Sequence, residues 1–127
     1  MADVSPVIPA LRYRDAPAAI EFLVNAFGFE RNLVVEGEHR AIEHAQLSHG
    51  TGMVMLGSTR EGDMFSDQGP ISIYVIVDDV QGHHDRAAAA SAQIVMPPEE
   101  QDYGGSSYTA RDPEGNWWSF GDYTPEI

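Results

Sequence analysis

Asn116-Trp117-Trp118-Ser119-Phe120-Gly121, close to the end of the chain, follows Gly52-Met53-Val54-Met55-Leu56-Gly57 at a spacing of 64 residues. Tyr13-Arg14-Asp15-Ala16 and Val77-Asp78-Asp79-Val80 are separated by the same 64 residues. Two landmarks with one offset point to a duplicated unit. The identities are few, and two unrelated strand–helix pieces of similar length are the plainer alternative.

The segments around these landmarks spell out the unit. Val7 to Tyr13 is apolar and extended, with Pro9 suited to an edge or a strand start. Asp15 is placed to cap a helix and Pro17 to occupy its first turn. Ala19, Ile20, Leu23 and Phe27 keep helical spacing until Gly28 stops it. Phe29–Glu36, Ala41–Ser48 and Gly52–Leu56 then read as three strands, separated by glycine-bearing turns. The second half repeats the order. Ile71–Val77 is a strand, Asp79 caps a helix that runs through Ala87–Ala90, and Gln93–Met96 is a short strand ended by Pro97-Pro98. Ser106–Arg111 and Asn116–Phe120 complete it across the turn Asp112-Pro113-Glu114-Gly115. The expected architecture is α+β: two tandem βαβββ modules, 7–57 and 71–123, joined by a polar linker, 58–70, in one 127-residue domain.

Composition narrows the function. Twenty acidic residues against seven basic ones give a net charge of −13, which repels phosphate backbones and anionic lipid. Neither nucleic acid nor a membrane is an expected partner. The same field draws cationic ligands, or simply keeps the protein dispersed. Cysteine is absent, which excludes disulfides and thiolate metal sites. No apolar run reaches the roughly 18–20 residues of a spanning helix, and Met1–Pro6 has no signal-peptide pattern. The expectation is a cytoplasmic protein.

Strand alternation divides each sheet into a helix-packed face and an opposite face. Ile71, Ile73, Val75 and Val77 are the branched, helix-packed set, so Ser72, Tyr74 and Ile76 face the other way. The 64-residue shift assigns Ile8, Ala10 and Arg12 to that second face. By the same logic Met53 and Met55 lie there, with Ile42, His44, Gln46, Trp117 and Ser119, and the shift from His44 adds Tyr108. Arg12, His44, Gln46, Met55, Ser72, Tyr74, Tyr108, Trp117 and Ser119 are therefore the candidate ligand-binding residues. Apolar walls with a few polar groups suit a small organic molecule. Each has a plainer role as well: a hydrogen-bonded sheet residue for His44 and Gln46, an ion pair for Arg12, core filling for Trp117 and Met55. The adjacent His83-His84 point about 100° apart on a helix and read as solvated surface, not a metal pair.

These stretches, with Ala16–Phe22, Ala26–Phe29 and above all Asp112-Pro113-Glu114-Gly115-Asn116, resemble the vicinal oxygen chelate superfamily of glyoxalases, extradiol dioxygenases and bleomycin resistance proteins. The likeness runs from Val7 to Tyr123. It implies a curved, cleft-enclosing mixed sheet with helices on its outer face, and a homodimer. In metal-dependent members one imidazole or carboxylate comes from each of strands one, four, five and eight. The matching positions here hold Ile8, Met55, Ser72 and Ser119, none an ordinary ligand for a divalent metal. Neither a metal nor another cofactor is therefore expected. The resemblance favours a metal-free protein that holds a small, aromatic or cationic molecule, as the bleomycin resistance proteins do. The alternative is a glyoxalase-like lyase or related enzyme, with an atypical metal site or with His44 as general base. In that reading Glu43 or Arg12 would assist His44, whereas in the binding reading Glu43 is an acidic rim residue that attracts positive charge.

Overall fold

The computed structural model describes residues 4–126. The chain divides between Gly69 and Pro70 into two compact units, each built as strand, helix and three strands.

In the first unit β1 (Ala10–Tyr13) leads into α1 (Ala16–Phe27), followed by β2 (Glu30–Glu36), β3 (Ile42–His49) and β4 (Gly52–Ser58). The sheet order is β1-β4-β3-β2, with β1 parallel to β4 and the rest antiparallel. Asp15 caps α1 by accepting the Ala18 amide at 3.2 Å. Gly28 ends the helix at φ 80, a left-handed conformation that costs glycine little, and its N–H reaches back to the last turn. α1 buries Ala19, Ile20, Leu23, Ala26 and Phe27 against Leu11, Ala45, Leu47, Val54 and Leu56. In the segment after β4, Met64–Asp67 forms a short 3₁₀ turn capped by Asp63.

The second unit contains β5 (Ser72–Ile76), α2 (Val80–Ala89), β6 (Gln93–Glu100), β7 (Ser106–Arg111) and β8 (Trp117–Gly121), in the order β5-β8-β7-β6. Asp79 caps α2 as Asp15 caps α1. α2 is poorer in apolar residues and buries only Val80 and Ala87, so aromatic packing carries much of this core. Trp118 and Phe120 are fully buried, with rings stacked 6.5 Å apart.

β6 does not stop at Met96. It continues through Pro97 and Pro98 to Glu100, with its pairing to β7 irregular between Met96 and Glu99. β6 is an edge strand, where a proline whose N–H would face solvent costs no ladder bond, and the irregular pairing between Met96 and Glu99 accommodates its neighbour, so the two prolines distort the ladder without ending it. No helix among the described residues is long and apolar enough to cross a membrane.

Candidate functional site

Alternation holds where a strand's buried set is uniformly apolar. In β4, Val54 and Leu56 are buried while Met53 and Met55 are half-exposed on the helix-free face. In β8, Trp118 and Phe120 are buried; Trp117 is 37% exposed and Ser119 is half-buried. In β5, Tyr74 and Ile76 are exposed beside Ser72, opposite the half-buried Ile73 and Val75.

Pairing register aligns these residues into rows. On the second sheet one row is Tyr74, Ser119, Thr109 and Met96, and the next is Ser72, Trp117, Arg111 and Gln93. Ser119 and Thr109 join hydroxyls at 2.7 Å. The Arg111 guanidinium lies 4.7 Å from the Trp117 ring centre, a cation–π distance, and also reaches the Gly115 carbonyl. Tyr74 donates to the Tyr123 carbonyl at 2.8 Å, and burial, followed by the nearby Tyr103, raises its phenol above the usual range. Its hydroxyl fills the space where any side chain on Gly121 would go. On the first sheet the row is Ala10, Met55, Gln46 and Leu33.

His44 sits in a directed chain on this first face. Gln46 donates from Nε2 to Asn32 Oδ1 at 2.9 Å, so its Oε1 accepts from His44 Nε2, also at 2.9 Å. This tautomer leaves Nδ1 as the basic nitrogen of a neutral ring. Arg12 pairs with Asp63 at 3.0 Å, which fastens the 3₁₀ turn to β1. This guanidinium, with the Phe65 amide, holds the Asp63 carboxyl below its ordinary value.

Tyr108 is a correction. It lies in the core, 1% exposed, with its hydroxyl against His83 Nδ1 of α2 and its ring stacked on Phe120 at 5.4 Å. Burial raises its phenol well above the ordinary range. The cause is turn length. Ser48 pairs with Met53 across four intervening residues, but Arg111 pairs with Trp117 across five. The extra residue slides β7 by one and turns every side chain over, so Thr109 and Arg111 occupy the face assigned to Tyr108. The two turns differ in length by one residue, so the 64-residue offset that relates β4 to β8 does not relate β3 to β7.

Three further expectations change. Ile42 is buried on the helix side, because β3 bulges at Glu43: Val35 pairs with His44 but Glu36 with Ile42. The displaced Ile42 amide is captured by Ser58 Oγ at 2.8 Å. Glu43 answers Arg60 at 3.6 Å instead of serving His44. His83 and His84 are only partly exposed: His83 lies over Phe120 at 4.1 Å and His84 meets the Tyr108 ring edge-on.

The positions that would hold a superfamily metal do not suit one. Ile8 is a hydrocarbon ahead of β1, Met55 a thioether, Ser72 a lone hydroxyl, and the Ser119 hydroxyl is engaged by Thr109. Among the described residues no group of three or more His, Cys, Asp or Glu side chains is gathered for a metal. No metal-borne step follows from these residues.

The chain is similar over nearly its full length to several known proteins. TioX from Micromonospora sp. ML1 is 33% identical, with a TM-score of 0.81, 98% of this chain and 100% of that one being covered. An uncharacterized protein of Mycobacterium bovis is 31% identical over 98% of this chain and 88% of its own length. Lactoylglutathione lyase from Agrobacterium tumefaciens, 21% identical, shares the fold with a TM-score of 0.72 over 95% of each chain. Residues 7–120 match one family throughout, and with the repeated βαβββ unit this places the chain in the Glyoxalase/Bleomycin resistance protein/Dioxygenase superfamily.

Proposed function

We propose that the protein binds a small organic molecule bearing a planar aromatic ring, without a metal, on the helix-free faces of its sheets. The observation that carries this is Trp117. An indole 37% exposed, in a row with Ser72 and Arg111, offers a stacking surface edged by hydrogen-bonding groups. Tyr74, Ser119 and Thr109 extend that surface on the second sheet. The first sheet, taken by itself, offers Arg12, His44, Gln46 and Met55 on its own helix-free face. Arg111 bears on ligand charge. The net charge of −13 draws cations to the protein, but a guanidinium beside the Trp117 ring disfavours a cation stacked there. A neutral ring, or one whose positive charge sits far from the stacked portion, fits both facts.

Tryptophan fluorescence tests the reading, because Trp118 is buried and Trp117 is the indole a ligand can reach. Neutral, cationic and anionic naphthalene derivatives serve as probes. Quenching in the wild type that disappears in Trp117→Phe, with calorimetric binding, is the expected result. Calorimetry that detects no binding of any of them would overturn it, as would stoichiometric Ni, Zn, Fe or Mn in the purified protein.

One observation favours a second reading. The Asn32–Gln46–His44 chain fixes an imidazole tautomer, as general-base catalysis requires. If that reading is right, His44→Gln abolishes turnover of a substrate that still binds; if binding alone is the role, His44→Gln only alters affinity. A homodimer is consistent with the exposed Leu33, Val34 and Val35 of edge strand β2, and sedimentation checks it.

A further inference from the structure

The first unit carries a cavity of about 700 Å³ on the opposite side of its sheet from His44 and Met55. It lies between the first turn of α1, β2 and the turn from β2 to β3. Ile20, Val34 and Ile42 supply its apolar surface. Arg14, Arg31 and Arg40 line it together with His39. The chain has no lysine and only seven arginines against twenty acids, so three of its seven fixed cations face one hollow.

The carboxylates there are mostly committed. Asp15 accepts the Ala18 amide, and Glu21 pairs with Arg31. The Arg40 side chain has no hydrogen bond or ion pair among the described residues. Its backbone is held at φ 65, directly after His39 at φ 55. Two consecutive left-handed non-glycine residues are disfavoured, and glycine would relieve both. Strain kept at a cavity rim points to side chains held there for their position.

We propose that this cavity is a second binding site, which takes a small monocarboxylate with a compact apolar body. The carboxylate meets the Arg40 guanidinium, and the apolar portion lies on Ile20, Val34 and Ile42. Glu36, also on the lining, opposes a second negative charge, so dicarboxylates and phosphate bind less well.

Calorimetry with hexanoate and benzoate, against hexylamine and inorganic phosphate, tests the site. The carboxylates bind one per chain and the amine does not. Arg40→Gly lowers carboxylate affinity by roughly tenfold or more while raising the melting temperature, since it removes a charge-assisted contact and relieves strain together. Arg40→Asn, which tolerates the left-handed region, gives the same loss with little change in stability. Trp117→Phe leaves carboxylate binding intact, which separates this site from the aromatic one. Equal binding of hexylamine, tighter binding of phosphate, no binding of either carboxylate at millimolar concentration, or unchanged affinity in both Arg40 variants would overturn the proposal.

Discussion

Asp112 receives four hydrogen bonds within its own turn and the strand that follows. Its Oδ1 accepts the Glu114 and Asn116 amides, and its Oδ2 accepts Asn116 Nδ2 and the Trp118 indole N–H, all between 2.9 and 3.1 Å. Asp112→Ala leaves several buried donors unanswered and is expected to cost about 3 kcal/mol, read by urea denaturation. The sequence shows a turn at Asp-Pro-Glu-Gly-Asn. It does not show that one carboxylate ties the turn to a tryptophan six residues on, because alternation gives the face of Trp118 but not the direction of its indole N–H. Asp63 gives a pH-dependent prediction. Its carboxyl titrates below the ordinary 3.8 in the folded chain, so its pairing with Arg12 favours folding above about pH 4 and is lost as pH falls through the depressed value. Between about pH 6 and pH 2.5 the wild type should therefore lose more stability than Asp63→Asn, as compared by denaturant titration.

For whole elements, legibility depends on how each strand is buried. β4, β5 and β8 are readable because their helix-packed residues are apolar without interruption, leaving one register that keeps them dry. β3 and β7 are less so. A bulge at Glu43 and a longer turn before Trp117 both change phase, and no apolar count along one strand detects a shift imposed by its neighbour. The helix bounds were clear, since Asp15, Gly28 and Asp79 do the capping and stopping their residue types suit. The corrected face of β7 can be checked. Tyr108→Phe removes the hydroxyl beside His83 and should cost about 1 kcal/mol while leaving aromatic-ligand affinity unchanged. Thr109→Val, which strips the partner of Ser119, should change that affinity with little effect on folding.

Taken as one chain, the protein carries more like charge than folding requires. At −13, self-repulsion opposes compaction, so raising NaCl from about 0.01 to about 0.15 M should raise the melting temperature by shortening the screening length from about 30 to about 8 Å. Scanning fluorimetry reads the shift. Capture of cationic aromatic probes should slow over the same range, as stopped-flow fluorescence would show. The longer hairpin before Trp117 bears on how such a chain diversifies. Point substitutions change one group at a time, whereas gain or loss of a single codon in this loop exchanges a strand's inner and outer chemistry in one event. Relatives with loops of different length here should therefore differ abruptly in what they recognise, even where the rest of their sequences has barely diverged.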